Sequence, residues 1–296
     1  MRYLSDVLKE KYGEKIYRLT LSSGCTCPNR DGLVAYGGCA FCSEGGSGEF
    51  AAALRPIGEQ IEEAKALIAN KTGAKKFIAY FQAYSNTYGD ALRLEKLYQE
   101  AISRPEIVAL SLGTRPDCLG DDILAMLARL NGIKPVWVEM GLQTADEETA
   151  KRMNRGFSDE CYADAVRKLH GIGVEVVAHL IFGFPGETRE DMLNSVRFLA
   201  ALRPEGVKLQ MLNILRGTRL ADEYAGSPWR LLTREEYADL IAEAVSLLPE
   251  ETVVHRLTGD GKRDMIIAPE WVKDKKRALN AIRRAISRDS SSPARA

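Results

Sequence analysis

Short apolar, β-branched runs alternate along the chain with longer amphipathic ones. The short runs fall at 15–22, 76–83, 106–112, 135–140, 174–182, 207–212 and 252–257, and the amphipathic segments at 56–69, 92–103, 121–130, 158–170, 189–202 and 233–247. The β-branched character of the short runs and the amphipathic pattern of the long ones mark strands and helices. Strict alternation of the two implies βα units and a parallel sheet. So many repeats favour an α/β barrel or partial barrel over a short open sheet.

The unusual polar residues support a barrel, because they follow the strand ends. Cysteines come after the first strand, and Gln82, Ser85 and Asn86 after the second. Gly113-Thr114-Arg115-Pro116-Asp117-Cys118 follows the third; Glu139 and Gln143 stand at the fourth. Gly183-Phe184-Pro185-Gly186-Glu187 follows the fifth, Asn213 and Arg216 the sixth, and His255, Arg256 and Asp260 the last. In a (β/α) barrel these loops share one face, where catalytic groups converge.

Composition narrows the picture. With 296 residues, 45% hydrophobic and 28% charged, the chain can bury about three quarters of its unfolded surface. The longest uncharged run, 77–89, has 13 residues, short of the roughly 18 apolar residues that span a bilayer. The first ten residues mix both charges without an apolar stretch, so the reading is a cytoplasmic protein with no membrane partner. Lys+Arg 41 balances Asp+Glu 41, yet 273–296 holds eight basic and two acidic residues, leaving that tail +6 and the rest −6. A basic segment of this kind suits a polyanion or a solvated helix whose dipole favours cations.

Four of the six cysteines, Cys25, Cys27, Cys39 and Cys42, fall within 18 residues. In a reducing compartment such a cluster points to a metal. Cys39-Ala40-Phe41-Cys42 puts two thiolates on a tight turn, and the loop 28–38 can return Cys27 to the same point. Zinc would take four thiolates, Cys25 included, although C-x-C facing C-x-x-C is not the usual knuckle spacing. A four-iron cluster held by three cysteines would leave one iron open, with Phe41 able to stack on a planar ring beside it or simply to pack.

Cys39-Ala40-Phe41-Cys42 resembles the second half of the C-x3-C-x-aromatic-C signature of the radical S-adenosylmethionine (SAM) superfamily. Here the first spacing is lengthened to Cys27-x11-Cys39. Thr26-Cys27-Pro28-Asn29-Arg30-Asp31-Gly32 with Gly37-Gly38-Cys39 is similar to the bacterial YtqA/YhcC group, which shares the long spacing. Further likeness lies in 79–83, 114–119, 137–144 and 254–261, and 43–50 is more similar to the YtqA side. The resemblance implies a partial (β/α)6 TIM-like barrel over 1–226, a small C-terminal α/β extension with a basic helix over 227–289, and a disordered tail over 290–296.

It also implies a [4Fe-4S] cluster on Cys27, Cys39 and Cys42, with Cys25 left out, and SAM on the open iron. An electron from a reductant such as flavodoxin or ferredoxin would cleave SAM, and the resulting deoxyadenosyl radical would take hydrogen from substrate. Gln143 and Arg155 resemble residues that hold the SAM ribose and carboxylate, and Gly183 the backbone that meets adenine. Gln82, Glu139, His179 and Asn213 are further candidate SAM contacts, although His179 could equally be a satisfied core histidine and Arg155 a helix-surface cation. Cys118, His255 and Arg256 are candidate catalytic or substrate-binding groups; Cys118 could also be a plain buried thiol. The YtqA side implies tRNA as substrate, with a carboxymethylaminomethyl group at wobble uridine cut back to aminomethyl. A radical SAM enzyme of peptides or small metabolites, and a zinc-bearing RNA-binding protein without activity, are the other readings of these residues.

Overall fold

The computed structural model describes residues 1–46, 51–70, 73–259 and 261–290. Segment 47–50, Asp260 and 291–296 of the tail lie outside the described residues, as do the readings made on them.

Six strands repeat the predicted pattern. They are β2 (Tyr17–Leu21), β3 (Phe77–Phe81), β4 (Ile107–Thr114), β5 (Val136–Gln143), β6 (Glu175–Phe182) and β7 (Gly206–Met211). The helices between and after them are α2 (Ile57–Ala69), α3 (Ala91–Ser103), α4 (Asp121–Asn131), the short α5 (Glu147–Arg152), α6 (Asp159–Gly171) and α7 (Arg189–Leu202). Every residue of β3 is buried, as expected for a parallel strand covered on both faces. Helix starts are where side-chain chemistry puts them: Asp90, Ser158 and Thr188 each accept a bond from a first-turn backbone N–H, and Thr188 with Asp191 closes a capping box.

The sheet does not stop at six strands. β9 (Val253–Arg256), the last predicted strand, pairs in parallel with β7, and β1 (Arg2–Tyr3) pairs in parallel with β9. The order is β1-β9-β7-β6-β5-β4-β3-β2, eight parallel strands curling into a half-barrel. β1 is too short to show alternation in sequence. After β7 the chain makes β8 (Ile214–Leu215) and α8 (Arg219–Gly226), then α9 (Arg234–Leu247). β10 (Ile266–Ala268), antiparallel to β8, and α10 (Lys275–Ser290) follow β9. Among the described residues no helix is long and apolar enough to cross a membrane.

The N-terminal segment, mixed in charge and without a strong period, forms α1 (Leu4–Tyr12). Its Leu8 packs against Ile78, Ala109, Trp137 and Val177, one residue near the start of each of β3 to β6. The helix therefore closes the N-terminal end of the barrel, and access is left to the opposite end, where the loops gather. Leu8→Ala is expected to cost about 2–3 kcal/mol, at the lower end for a buried leucine because Leu4 and Tyr12 around it are only half-buried and can relax. A fall of at least about 4 °C in Tm, with cofactor uptake unchanged, is the expected result.

Candidate active site

The C-terminal ends of the strands open into one cavity of about 600 Å³, lined near its mouth by Cys27, Cys39, Phe41 and Cys42. Backbone contacts fix the loop that carries them. Arg30 N–H bonds to Cys27 O at 2.8 Å and Cys42 N–H to Cys39 O at 3.0 Å, while Ala40 N–H reaches Met153 O and Leu220 N–H reaches Ala40 O, both at 2.9 Å. Asn29 Nδ2 lies 3.5 Å from Cys39 Sγ and donates to Asn154 O at 2.6 Å. Burial, then the neighbouring Cys42 thiol, pushes Cys39 up to about 12, with Arg115 pulling the other way. A cationic iron core supplies what such thiols lack in order to ionise. Phe41 also lines the cavity, its ring tilted against Phe184 at 5.5 Å.

Cys25 is elsewhere. It is buried in the main apolar core, with Arg93 Nη2 at 3.4 Å from its Sγ. Among the described residues no group of three or more His, Cys, Asp or Glu is arranged to hold a single metal ion. With Cys25 in the core, the thiols that line the cavity are Cys27, Cys39 and Cys42.

Gln143 is turned into the cavity by an uncommon backbone, φ 71°, beside a register shift between β5 and β6. Its amide folds back over Gly141, where a Cβ would lie 2.1 Å from Gln143 Nε2, so a side chain there would displace the amide from this position. Gln143 Oε1 is buried without a hydrogen-bond partner, as is Asn213 Oδ1, and both residues line the cavity, as does Ser85. Such orphans are costly unless a ligand satisfies them. Gln82 lines the same space. Gly183, at φ 95°, sits behind it, with no room for a Cβ against Met211.

Below the thiols the strands contribute a buried polar layer. Glu139, 1% exposed, accepts from Ser111 Oγ at 2.7 Å, pairs with Arg18 Nη1 at 2.9 Å and bonds Lys208 Nζ. Burial alone would raise the Glu139 carboxyl, but Arg18, Lys208 and His179 outweigh it and hold it well below the usual carboxylate range. His179 is pushed down to about 4 by burial and by Lys208, so its neutral ring donates from Nε2 to Glu139 Oε2 at 3.1 Å. Tyr80 lies under both cations, 4.9 Å from Arg18 and 4.8 Å from Lys208. Arg18 Nη2 donates to His255 Nδ1 at 3.0 Å.

Arg155, 1% exposed, is engaged with the protein itself. It donates to Thr144 O at 2.6 Å and Phe157 O at 2.8 Å, pairs with Asp159 at 2.9 Å and stacks on Phe157. This geometry braces the loop after β5, and Arg155 also lines the cavity. Cys118 lies in a 3-10 turn, Pro116–Cys118, with its Sγ 3.9 Å from Asp117 Oδ1, and burial raises its thiol. Arg256 reaches the cavity, whereas His255 packs edge-on against Trp137.

The Radical SAM superfamily model matches residues 22–199 and the Radical_SAM C-terminal domain model residues 204–288. The chain belongs to the radical SAM superfamily. It is 38% identical to YtqA of Bacillus subtilis over 96% of this chain and 88% of that protein, and 36% identical to YhcC of Escherichia coli over 90% and 86%. It is 25% identical to a tRNA uridine(34) acetyltransferase of Methanocaldococcus infernus over 72% of this chain and 41% of that longer one. In structure it resembles Elp3 of the same organism, with a TM-score of 0.62 and 19% identity over 75% of this chain and 59% of that one. The family brings a [4Fe-4S] cluster and SAM as cofactors. Three thiols lining one cavity, beside orphaned amide oxygens, fit both groups.

Glu187, in the loop after β6, carries a separate prediction. Burial pushes its carboxyl up to about 7 from an ordinary value of 4.5, the Thr144 hydroxyl that donates to it pulling back and Asp146 and Asp191 adding to the rise. Its folded form holds a proton that the unfolded chain gives up above about pH 4.5, so wild-type stability is full below that pH and declines up to about pH 7. Glu187→Gln keeps the Thr144 bond without that loss. Melting curves should show no difference near pH 4 and a gain for the variant of about 1–3 kcal/mol at pH 8.

Proposed function

We propose that the chain is a radical SAM enzyme of tRNA, with Cys27, Cys39 and Cys42 holding the cluster and Gln143, Asn213 and Phe41 positioning SAM. The reaction we assign is removal of the carboxymethyl portion of a carboxymethylaminomethyl group at wobble uridine, leaving aminomethyl. The cluster and SAM, when bound, supply the hydrogen-abstracting radical. The chain's own residues orient the substrate and close the far end of the barrel to water. The observation that carries the reading is the conjunction of the three thiols and the orphaned polar atoms in one cavity. The tRNA part draws support from the likeness to YtqA and to the uridine(34) acetyltransferase, whose name places it on the same nucleotide.

A basic face supports RNA as partner. Arg277 and Arg284, seven residues apart and so on one face of α10, enclose with Asn280 and Arg234 of α9 a surface cavity of about 290 Å³. Arg283, on another face, acts on Tyr3 instead. Arg277→Ala with Arg284→Ala should weaken tRNA binding and flatten its salt dependence by about one to two phosphate contacts. An unchanged slope would remove this face from the tRNA site. The reaction itself is tested by incubating the reconstituted enzyme with SAM, a reductant and tRNA. The expected result is a carboxymethylaminomethyluridine peak giving way to aminomethyluridine by nucleoside mass; no change in any nucleoside would refute the tRNA substrate.

A further inference from the structure

Eleven residues separate Cys27 from Cys39, and only the ends of this loop belong to the cavity. Cys27, Arg30 and Cys39 line it; none of residues 31–38 does. The outer stretch, Asp31-Gly32-Leu33-Val34-Ala35-Tyr36-Gly37-Gly38, is nevertheless firmly built. Asp31 bridges to Tyr36 in antiparallel fashion, and Val34 N–H bonds to Pro28 O and Gly38 N–H to Asn29 O, both at 2.8 Å. Asn154 Nδ2 donates to Gly38 O at 2.8 Å, and Asn29 Nδ2 donates to Asn154 O in return. Val34 lies against Gly156, where a Cβ would stand 3.0 Å from Val34 Cγ1, and Arg155 and Phe157 on either side line the cavity. The tip is thus held in place beside the open end of the barrel.

What it presents is apolar and open. Leu33 is 72% exposed, Tyr36 80% and Val34 43%, three of the nine exposed large apolar side chains among the described residues, with the other six scattered along the chain. Single exposed apolar residues are ordinary, whereas a fixed group of them beside a substrate cavity marks a contact surface. Tyr36 is also seated: its ring rests on Gly32, at φ 96°, where a Cβ would stand 2.6 Å from Cε1, Cζ and Oη. A ring backed by the chain and otherwise open to solvent can stack on a planar partner with little loss of freedom.

Two features select the occupant. Residues 31–38 contain no Lys or Arg, and Asp31 is exposed, which disfavours phosphate. Three side chains are too few for a protein interface of ordinary size, about 800 Å² a side, but they match one or two bases, whose faces stack on aromatic rings whatever their sequence. A cavity of about 600 Å³ that also takes SAM leaves the neighbours of a reacting nucleotide outside, on the side where the tip stands. We infer that Tyr36, with Leu33 beside it, is a stacking platform for an unpaired base next to the nucleotide that enters the cavity. The inference rests on RNA being the substrate and not on which bond of the wobble uridine is cut. Stacking the flanking base outside helps to hold the target nucleotide out of its own stack.

The test uses the full cluster-loaded chain with SAM and no reductant, so that nothing turns over. A labelled anticodon stem-loop carrying carboxymethylaminomethyluridine gives Kd by anisotropy at several salt concentrations. Tyr36→Ala should raise Kd about 10-fold, and Leu33→Ser about threefold, at full iron content. The salt slope should stay that of wild type, because stacking releases no counterions. Tyr36→Phe and Tyr36→Trp should bind within about twofold of wild type. Stem-loops with an abasic site on either side of the wobble position locate the base: one of them should bind wild type about 10-fold more weakly and cost Tyr36→Ala nothing further. The abasic arm needs only the wild-type chain, so a variant that fails to take up the cluster does not decide the outcome. Unchanged binding by Tyr36→Ala, equal losses in Phe and Ala, or no coupling to either abasic site would overturn the platform, while conversion of tRNA by wild type would leave the reaction standing. Tyr36→Ala with wild-type RNA binding but slower cluster reduction by a one-electron carrier protein would give the tip to that protein and overturn the inference. If the stem-loop does not bind wild type at all, the platform falls, and the tRNA reading is then decided by the nucleoside analysis alone.

Discussion

Cys39→Ala should yield a folded, colourless protein. The loop around Cys39 is held by backbone bonds that alanine keeps: Cys42 N–H to Cys39 O, Ala40 N–H to Met153 O and Leu220 N–H to Ala40 O. Arg30 further ties it down by bonding Cys42 O and Ser43 O. What alanine removes is one of three thiolates, and a four-iron cluster with only two protein ligands lacks the grip to persist. Changes to residues that merely support a metal ligand cost about 10–100-fold in affinity, so loss of a ligand itself should exceed that. Iron and sulfide analysis after anaerobic reconstitution should fall from about four irons per wild-type chain to well under one, with SAM cleavage at background. Far-ultraviolet dichroism should be unchanged. Cys25→Ala is the contrast: it sits in the apolar core beside Arg93, so iron content should stay at the wild-type level while stability drops. A brown Cys39→Ala protein, or a Cys25→Ala protein without iron, would overturn the proposed ligand assignment.

The three thiols were legible because they are close in sequence and share one chemistry. Most of the barrel was legible for a similar reason, since each βα unit repeats one local pattern. The buried layer was not. Arg18, Tyr80, Ser111 and Lys208 come from four different strands, and each alone looks like an ordinary polar residue; Glu139, His179, His255 and Arg256 drew attention, by their places in or at the ends of strands and by the family resemblance. The available signal was the period of two: in β7 the inward positions are Lys208 and Gln210 among apolar neighbours, and Lys208 is 2% exposed. The place of Arg256 on the cavity had no such signal, because the register shift beside it, where Lys208 pairs with Arg256, depends on which strand lies alongside. That strand is separated from β9 by a hairpin strand and two helices. Arg155 combines two roles that its motif alone does not separate: it lines the cavity, and the fold also engages it with carbonyls and Asp159.

The same layer gives the largest effect expected on stability. Glu139→Ala would leave Arg18 and Lys208 buried without their counter-charge and strip Ser111 and His179 of an acceptor. Removing one partner of a buried ion pair costs about 3–5 kcal/mol, because the remaining charge has neither water nor a partner. Glu139→Gln keeps the shape and an acceptor oxygen but not the charge, and should fall between wild type and alanine. The pH dependence separates charge from packing. Because the folded Glu139 carboxyl lies well below its ordinary value of 4.5, its contribution is fully present above that pH and is lost as pH falls towards the folded value. The stability gap between wild type and Glu139→Gln should therefore narrow below about pH 4.5, as wild type loses the charge that glutamine never had. Urea titrations at pH 7 and pH 4 measure both gaps. An equal gap at the two pH values would mean that shape, and not the ion pairs, makes Glu139 matter, and the layer would then be packing around a carboxyl rather than an electrostatic floor to the site.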